Sequence, residues 1–245
     1  HFDGNKGRFF ALIAVRTAGA GLSVFEGFDG QHAIGHRHAA IQRQAHQRVR
    51  GAIGHLFVVA GIATDHTTQR DDRRVVAAGG SYGGALALLL AGHDKRVDAI
   101  APRITYWDLE QALFPGGVYK KQWAGILFTM GGGCARFEPA VCEMYTRIAQ
   151  GGALTDADRA LLAARSPASV GADIRVPTYL AQGELDSLFP LEHADAAARR
   201  IAANGAPVAV DWIAGGHDAG SAEDARVNAR TAEWFDRYLK GGDAP

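Results

Sequence analysis

Residues 75–92 constrain the fold more than any other stretch of this 245-residue chain. An apolar run, Val75 to Ala78, leads directly into Gly79-Gly80-Ser81-Tyr82-Gly83, and Gly83 to Gly92 then carries Leu86, Leu88, Leu89 and Leu90. The first run reads as a buried strand, the glycines as a tight turn, and the leucine-rich stretch as a helix packed behind the strand. Val97 to Ala101 reads as the next strand, ended by Pro102. Strand, helix and strand in this order form a parallel crossover unit, so the chain is expected to build an α/β domain on a mostly parallel sheet with flanking helices.

The pattern resumes later and is interrupted once. Val176 to Gln182 and Val208 to Ile213 read as strands, Leu191 to Ala203 as a helix, and Ala222 to Leu239 as a closing amphipathic helix. In that last helix Val227, Thr231, Trp234, Phe235 and Tyr238 recur at helical spacing and make one apolar stripe. Residues 103–170 lack the alternation and hold Tyr106, Trp107, Phe114, Trp123 and Phe128, a Gly131-Gly132-Gly133 run and two helical stretches. Thr155 followed by Asp158 is a capping box for the second of these. This segment is expected to be a cap inserted between the elbow half and the C-terminal strands.

Residues 1–70 read differently from residues 71–245. They hold seven of the ten histidines, no Pro, Tyr or Trp, and eight basic against four acidic side chains, a net of about +4. Phe9 to Val15 and Leu56 to Ile62 are strand candidates, expected to lie buried beside Val75 to Ala78, because that strand needs partners on its free edge. Two readings of the segment stand: a divergent N-terminal half, or a stretch translated in the wrong frame. The chain opens at His1 without Met or a charged-then-apolar leader, which reads as a fragment or a processed form whose compartment is not legible.

Composition narrows the function classes. Lys plus Arg and Asp plus Glu both number 26, so no long-range field draws in nucleic acid or an anionic membrane. The longest apolar runs fall far short of the roughly 18 residues of a membrane span. No phosphate loop ending in Lys-Ser or Lys-Thr occurs, and Arg73-Arg74 and Lys120-Lys121 read as solvated charges. His32, His36 and His38 are close together but have no Cys or carboxylate at zinc-site spacing, so no metal is expected. Cys134 and Cys142, eight apart, could close one small loop. The oligomeric state is not legible, and the expected partner is a small molecule.

The chemistry converges on Ser81. Gly79-Gly80-Ser81-Tyr82-Gly83 fits G-x-S-x-G in the context that the motif requires, after a strand and before a helix. Such a turn holds its serine strained and exposed at a helix N-terminus, where the dipole and the N–H of Tyr82 favour an oxyanion. A serine hydroxyl needs a base, and the base an orienting carboxylate. The α/β-hydrolase order is Ser, acid, His. Asp186, in Gly183-Glu184-Leu185-Asp186 after the third strand, is the preferred acid, with Glu184 as competitor; His217, in Gly215-Gly216-His217 after the fourth, is the base. No cofactor is needed. A Cys nucleophile does not fit, since both cysteines fall in the cap.

These residues, with Pro102 to Leu109, Phe114-Pro115-Gly116-Gly117-Val118, Ser166-Pro167-Ala168 and Gln182 to Pro190, resemble the Xaa-Pro dipeptidyl-peptidase-like hydrolases, which include cocaine-esterase-like acyl hydrolases. The resemblance covers roughly residues 72–240. It implies an α/β-hydrolase with Ser81, Asp186 and His217 as triad, Tyr82 N–H as oxyanion donor, and a cap shaping an acyl pocket, for which Tyr106, Trp107, Phe114 and Trp123 are candidates. The substrate class implied is an ester or a short peptide, including Xaa-Pro. Two departures stand out. The second oxyanion donor of such enzymes is a Tyr in the N-terminal half, where this chain has none, and their C-terminal β-sandwich has no counterpart here. The competing reading is an inert remnant lacking an intact oxyanion hole.

Overall fold

The computed structural model describes residues 13–15, 23–25, 61–64, 75–218 and 220–240. Two short strands, β1 (Ile13–Val15) and β2 (Ser23–Phe25), pair antiparallel as a sheet of their own. The main sheet has the order β3 (Gly61–Thr64), β4 (Val75–Gly80), β5 (Val97–Arg103), β6 (Thr178–Gly183) and β7 (Val208–Ile213). The last four run parallel, and β3 is antiparallel to β4. The expected partner of the elbow strand therefore lies at Gly61–Thr64, overlapping the anticipated run only at Gly61 and Ile62. Ile13–Val15 pairs with β2 and not with the elbow strand, contrary to expectation, because both edges of β4 are taken by β3 and β5. Phe9 to Leu12 and Leu56 to Ala60 lie outside the described residues.

Side chains alternate across the sheet as period-two geometry demands. Ala77, Val97, Ile100 and Leu180 face helices α1 (Tyr82–His93) and, numbered later in the chain, α6 (Leu191–Ala203). Val76, Ala78, Ala99, Ala101, Tyr179 and Ala181 face α7 (Asp224–Lys240), whose Val227, Thr231 and Phe235 are buried on the predicted stripe. Every residue of α1 from Gly83 to Gly92 is buried, since the Pro167–Asp173 3-10 turn covers the side that the sheet does not. An all-apolar helix is therefore at home there.

Pro102 does not end its strand, as expected from sequence; β5 runs on to Arg103. Ile100 N–H donates to Pro177 and Ile104 N–H to Ala181, so residue 102 occupies the intervening donor position toward β6. A proline there removes one ladder bond, and the β5–β6 register is interrupted at that point. The fixed φ of proline is otherwise compatible with an extended strand.

The segment between β5 and β6 contains four helices where two were expected: α2 (Leu109–Leu113), α3 (Lys121–Met130), α4 (Pro139–Ala149) and α5 (Asp156–Ala163). Asp108 caps α2 through the Gln111 N–H, and the Thr155–Asp158 capping box opens α5 as anticipated. Cys134 and Cys142 form a disulfide, with Cα atoms 5.2 Å apart, joining the 3-10 turn Gly133–Ala135 to α4. Among the described residues no helix is long and apolar enough to cross a membrane.

Candidate active site

The site is built first from the turn between β4 and α1. Ser81 has φ 56° and ψ −126°, a conformation that L-residues rarely adopt. Four contacts hold it: its N–H donates to Arg103 O, and its carbonyl accepts the N–H groups of Gly84 and Ala85 and the Thr105 hydroxyl at 2.7 Å. Gly79 cannot be anything larger, because a Cβ there would lie 2.5 Å from the Gly83 backbone. Strain held by surrounding bonds in this way is a mark of a functional turn. A strained serine between a parallel strand and a buried helix, in a sheet with helices on both faces, decides the architecture. The fold is a mostly parallel α/β sheet with helices on both faces, the class expected from the sequence.

Asp186 follows β6 in a loop, and His217 lies in the turn of a small hairpin, β8 (Gly215–Gly216) with β9 (Gly220–Ser221), after β7. His217 Nε2 lies 2.8 Å from Ser81 Oγ, and His217 Nδ1 lies 2.6 Å from Asp186 Oδ2. The imidazole and carboxylate side chains are 1 % and 0 % exposed. Asp186 Oδ1 accepts the N–H groups of Leu188 and Phe189 at 3.0 and 2.8 Å, and Oδ2 also accepts His217 N–H. This saturates the carboxylate while leaving one face for the ring. Gly216 has φ 135°, and a Cβ on it would meet Asp186 Cβ at 2.6 Å, so the close approach of the Asp186 and His217 loops needs glycine. Glu184, the competing acid, is exposed and outside the constellation.

Tyr82 is the first residue of α1, and its N–H finds no acceptor among the described residues. First-turn N–H groups have no partner within their own helix. Its side chain belongs to a cavity of about 90 Å³ in the cap, shared with Phe114, Leu127, Phe128, Met144 and Tyr145. Burial pushes the Tyr82 and Tyr106 phenols well above the ordinary range and the Tyr119 phenol to about 12. All three therefore stay protonated.

The four aromatic pocket candidates part company. Phe114 lines the cavity. Tyr106 is one layer deeper, edge-on to Tyr82 with ring centres 5.5 Å apart, and donates its hydroxyl to Arg165 O. Trp107 packs against the main core beside Gly171, because the chain turns there toward the Pro167–Asp173 segment. Trp123 stands edge-on to His217 at 5.9 Å, and Phe189 does so at 5.1 Å, so two aromatic rings box the imidazole.

Lys120 is not the solvated charge expected from sequence. Its ammonium donates to the carbonyls of Ser187 and Leu188 at 2.6 and 2.9 Å, and burial lowers its pKa against the pull of the Glu192, Asp186 and Asp218 carboxylates. Sequence reasoning also passed over Gln182, whose side chain accepts Thr105 N–H and donates to Phe189 O, bracing the strand ends beneath the site. Buried His193, held below its ordinary pKa by that burial, accepts Trp107 N–H. A polar residue at the end of an otherwise apolar strand was the available signal for Gln182. Among the described residues no group of His, Cys, Asp and Glu could hold a metal ion; His32, His36 and His38 lie outside them.

No family model matches the chain, and no curated protein sequence does. Among solved structures it is similar to a Pyrococcus horikoshii acylaminoacyl peptidase, with TM-score 0.45 and 19% identity over 69% of this chain and 25% of that one. It is similar also to a puromycin hydrolase, with TM-score 0.48 and 19% identity over 69% and 22%. A Pyrococcus furiosus esterase aligns with TM-score 0.41 and 14% identity over 66% and 52%. The chain thus spans well under two thirds of the length of each.

Proposed function

We propose that the chain is a serine hydrolase that works through an acyl-enzyme. The observation that carries this reading is the continuous hydrogen-bonded line from Asp186 through His217 to a strained Ser81. His217 Nε2 takes the Ser81 proton as Oγ attacks a substrate carbonyl, while Asp186 fixes the tautomer and stabilises the imidazolium. The Tyr82 N–H and the N-terminus of α1 face the charge that develops on the oxyanion. Collapse expels the alcohol or amine with the proton that His217 returns; water, activated by the same imidazole, then releases the acid and restores Ser81. All of this chemistry is done by side chains and backbone.

The substrate class follows from the cap. The cavity behind Tyr82 is walled mainly by apolar and aromatic side chains, its two charged lining residues, Arg165 and Glu138, being paired with each other, and it suits an uncharged acyl group. With the family resemblance, this points to esters of apolar acids or to short peptides, including Xaa-Pro bonds. Catalysis would belong to residues 71–245, with the cap at 103–170 setting acyl preference.

Hydrolysis of p-nitrophenyl esters of increasing acyl length, and of an Xaa-Pro nitroanilide, tests the reading. Ser81→Ala is expected to lower kcat/KM by at least about 10³-fold. Butyryl esters should outperform carboxylated acyl groups. A folded native chain that turns over none of these substrates would instead favour the inert remnant, and Ser81→Ala at native rate would remove Ser81 from the mechanism.

A further inference from the structure

The residues that follow the acid and the base are bound to each other. Ser187 N–H donates to Asp218 Oδ2 at 2.7 Å, and the Ser187 hydroxyl donates to Asp218 Oδ1 at 2.9 Å. The oxygen of that hydroxyl accepts the Trp123 indole N–H at 3.0 Å. Lys120 adds two bonds to the same stretch, to the carbonyls of Ser187 and Leu188. Leu188 in turn donates its N–H to Asp186 Oδ1. Lys120 and Trp123 sit at the start of α3, which belongs to the cap and lends Ala124, Leu127 and Phe128 to the cavity wall.

We propose that Ser187 and Asp218 are positioning residues for the Asp186–His217 pair, and that Lys120 and Trp123 couple the seating of the cap to that pair. The inference rests on the catalytic reading above and goes beyond it. Ser187 and Asp218 are both exposed, and hydrogen bonds between exposed groups add little to folding stability. Their geometric effect is larger, because a base misplaced by a fraction of an ångström loses rate out of proportion to the energy involved. The Ser187–Asp218 pair fixes the acid loop to the base loop at a point one residue beyond each partner. The Trp123 indole makes the link to the cap with one edge and walls the imidazole with its ring. An acyl group that fills the cavity leans on α3, and the first turn of α3 holds the acid loop.

Labelling of the native chain by a fluorophosphonate comes first, followed by kcat and KM of the variants on p-nitrophenyl acetate and butyrate. Ser187→Ala should lower kcat about tenfold with KM within about twofold, and Ser187→Thr, which returns a hydroxyl, should recover most of that loss. Trp123→Phe keeps a ring but removes the N–H, and should lower kcat on butyrate about threefold more than on acetate. Melting temperatures close to native show that the variants fold. Native labelling together with an unchanged kcat for Ser187→Ala, a change confined to KM, or a loss that threonine does not recover overturns the network alone. Absence of labelling in the folded native chain overturns the catalytic reading, and the network with it.

Discussion

The sheet with its elbow and the cap above it are held together by different physics. In the sheet and the helix behind it, Val76, Ala77, Leu88, Leu89, Ile100 and Leu180 are nearly or wholly removed from water, and contact between layers is continuous. In the cap the helices are short, and fastenings supplement a smaller core: a disulfide, a capping box and the ion pairs Arg147–Asp158, Arg159–Glu110 and Arg165–Glu138. Apolar burial adds up over area, whereas partly exposed ion pairs contribute little each. Ser81 is thus seated by the continuous apolar layer, whereas the cavity beside Tyr82 is walled by the layer that depends on fastenings.

The largest expected effect falls in the sheet layer. Leu88→Ala removes a fully buried side chain between α1 and the sheet and should cost about 3 to 5 kcal/mol, read from denaturant unfolding. A loss below about 1 kcal/mol would mean that the elbow helix is not the keystone that its burial indicates.

Opening the Cys134–Cys142 bridge should cost about 2 to 3 kcal/mol on loop-closure grounds and act locally. Amide exchange in Lys121–Met130 and Pro139–Ala149 is expected to quicken after reduction, while protection in Tyr82–His93 stays unchanged. Equal loss of protection in both regions would show one cooperative unit and dissolve the comparison.

The smallest effect is at Asp158. Burial raises its pKa, but the Thr155 hydroxyl and N–H and the Arg147 guanidinium outweigh this and leave it lowered. A carboxylate with a lowered folded pKa contributes stability above its unfolded pKa and loses that contribution as pH falls through the folded value. Asp158→Asn should therefore melt lower at pH 7, by about 1 kcal/mol in stability, and the gap should close below about pH 4. A gap independent of pH would assign the effect to shape and not to charge.

The two layers also differ in how far they could be read from sequence. Leu191–Ala203 and Val208–Ile213 coincide with their predicted bounds, and the elbow and the Thr155 capping box were legible because each rests on local rules: periodicity, glycine at a tight turn, a side chain three residues from its N–H. The positions of Asp186 and His217 in loops just past strand ends were legible, and the two side chains meet there. Pro102 misled because a ladder can omit one bond where the strand is held on its other edge. Trp107 and Trp123 were indistinguishable as cap aromatics, yet one joins the main core and the other walls His217, since their orientation depends on contacts 60 or more residues away. Lys120 failed for the same reason: its acceptors lie 67 and 68 residues along the chain. Long-range polar contacts leave no local pattern.

The central claim, that Ser81 is a nucleophile activated by His217 and Asp186, is tested most directly by locating a fluorophosphonate adduct with peptide mass mapping. One adduct per chain is expected on the peptide that contains Ser81, its rate of formation falling by about 10³-fold or more in His217→Ala and strongly in Asp186→Asn. A folded native chain that takes up no label, or an adduct on another residue such as Ser187, would contradict it.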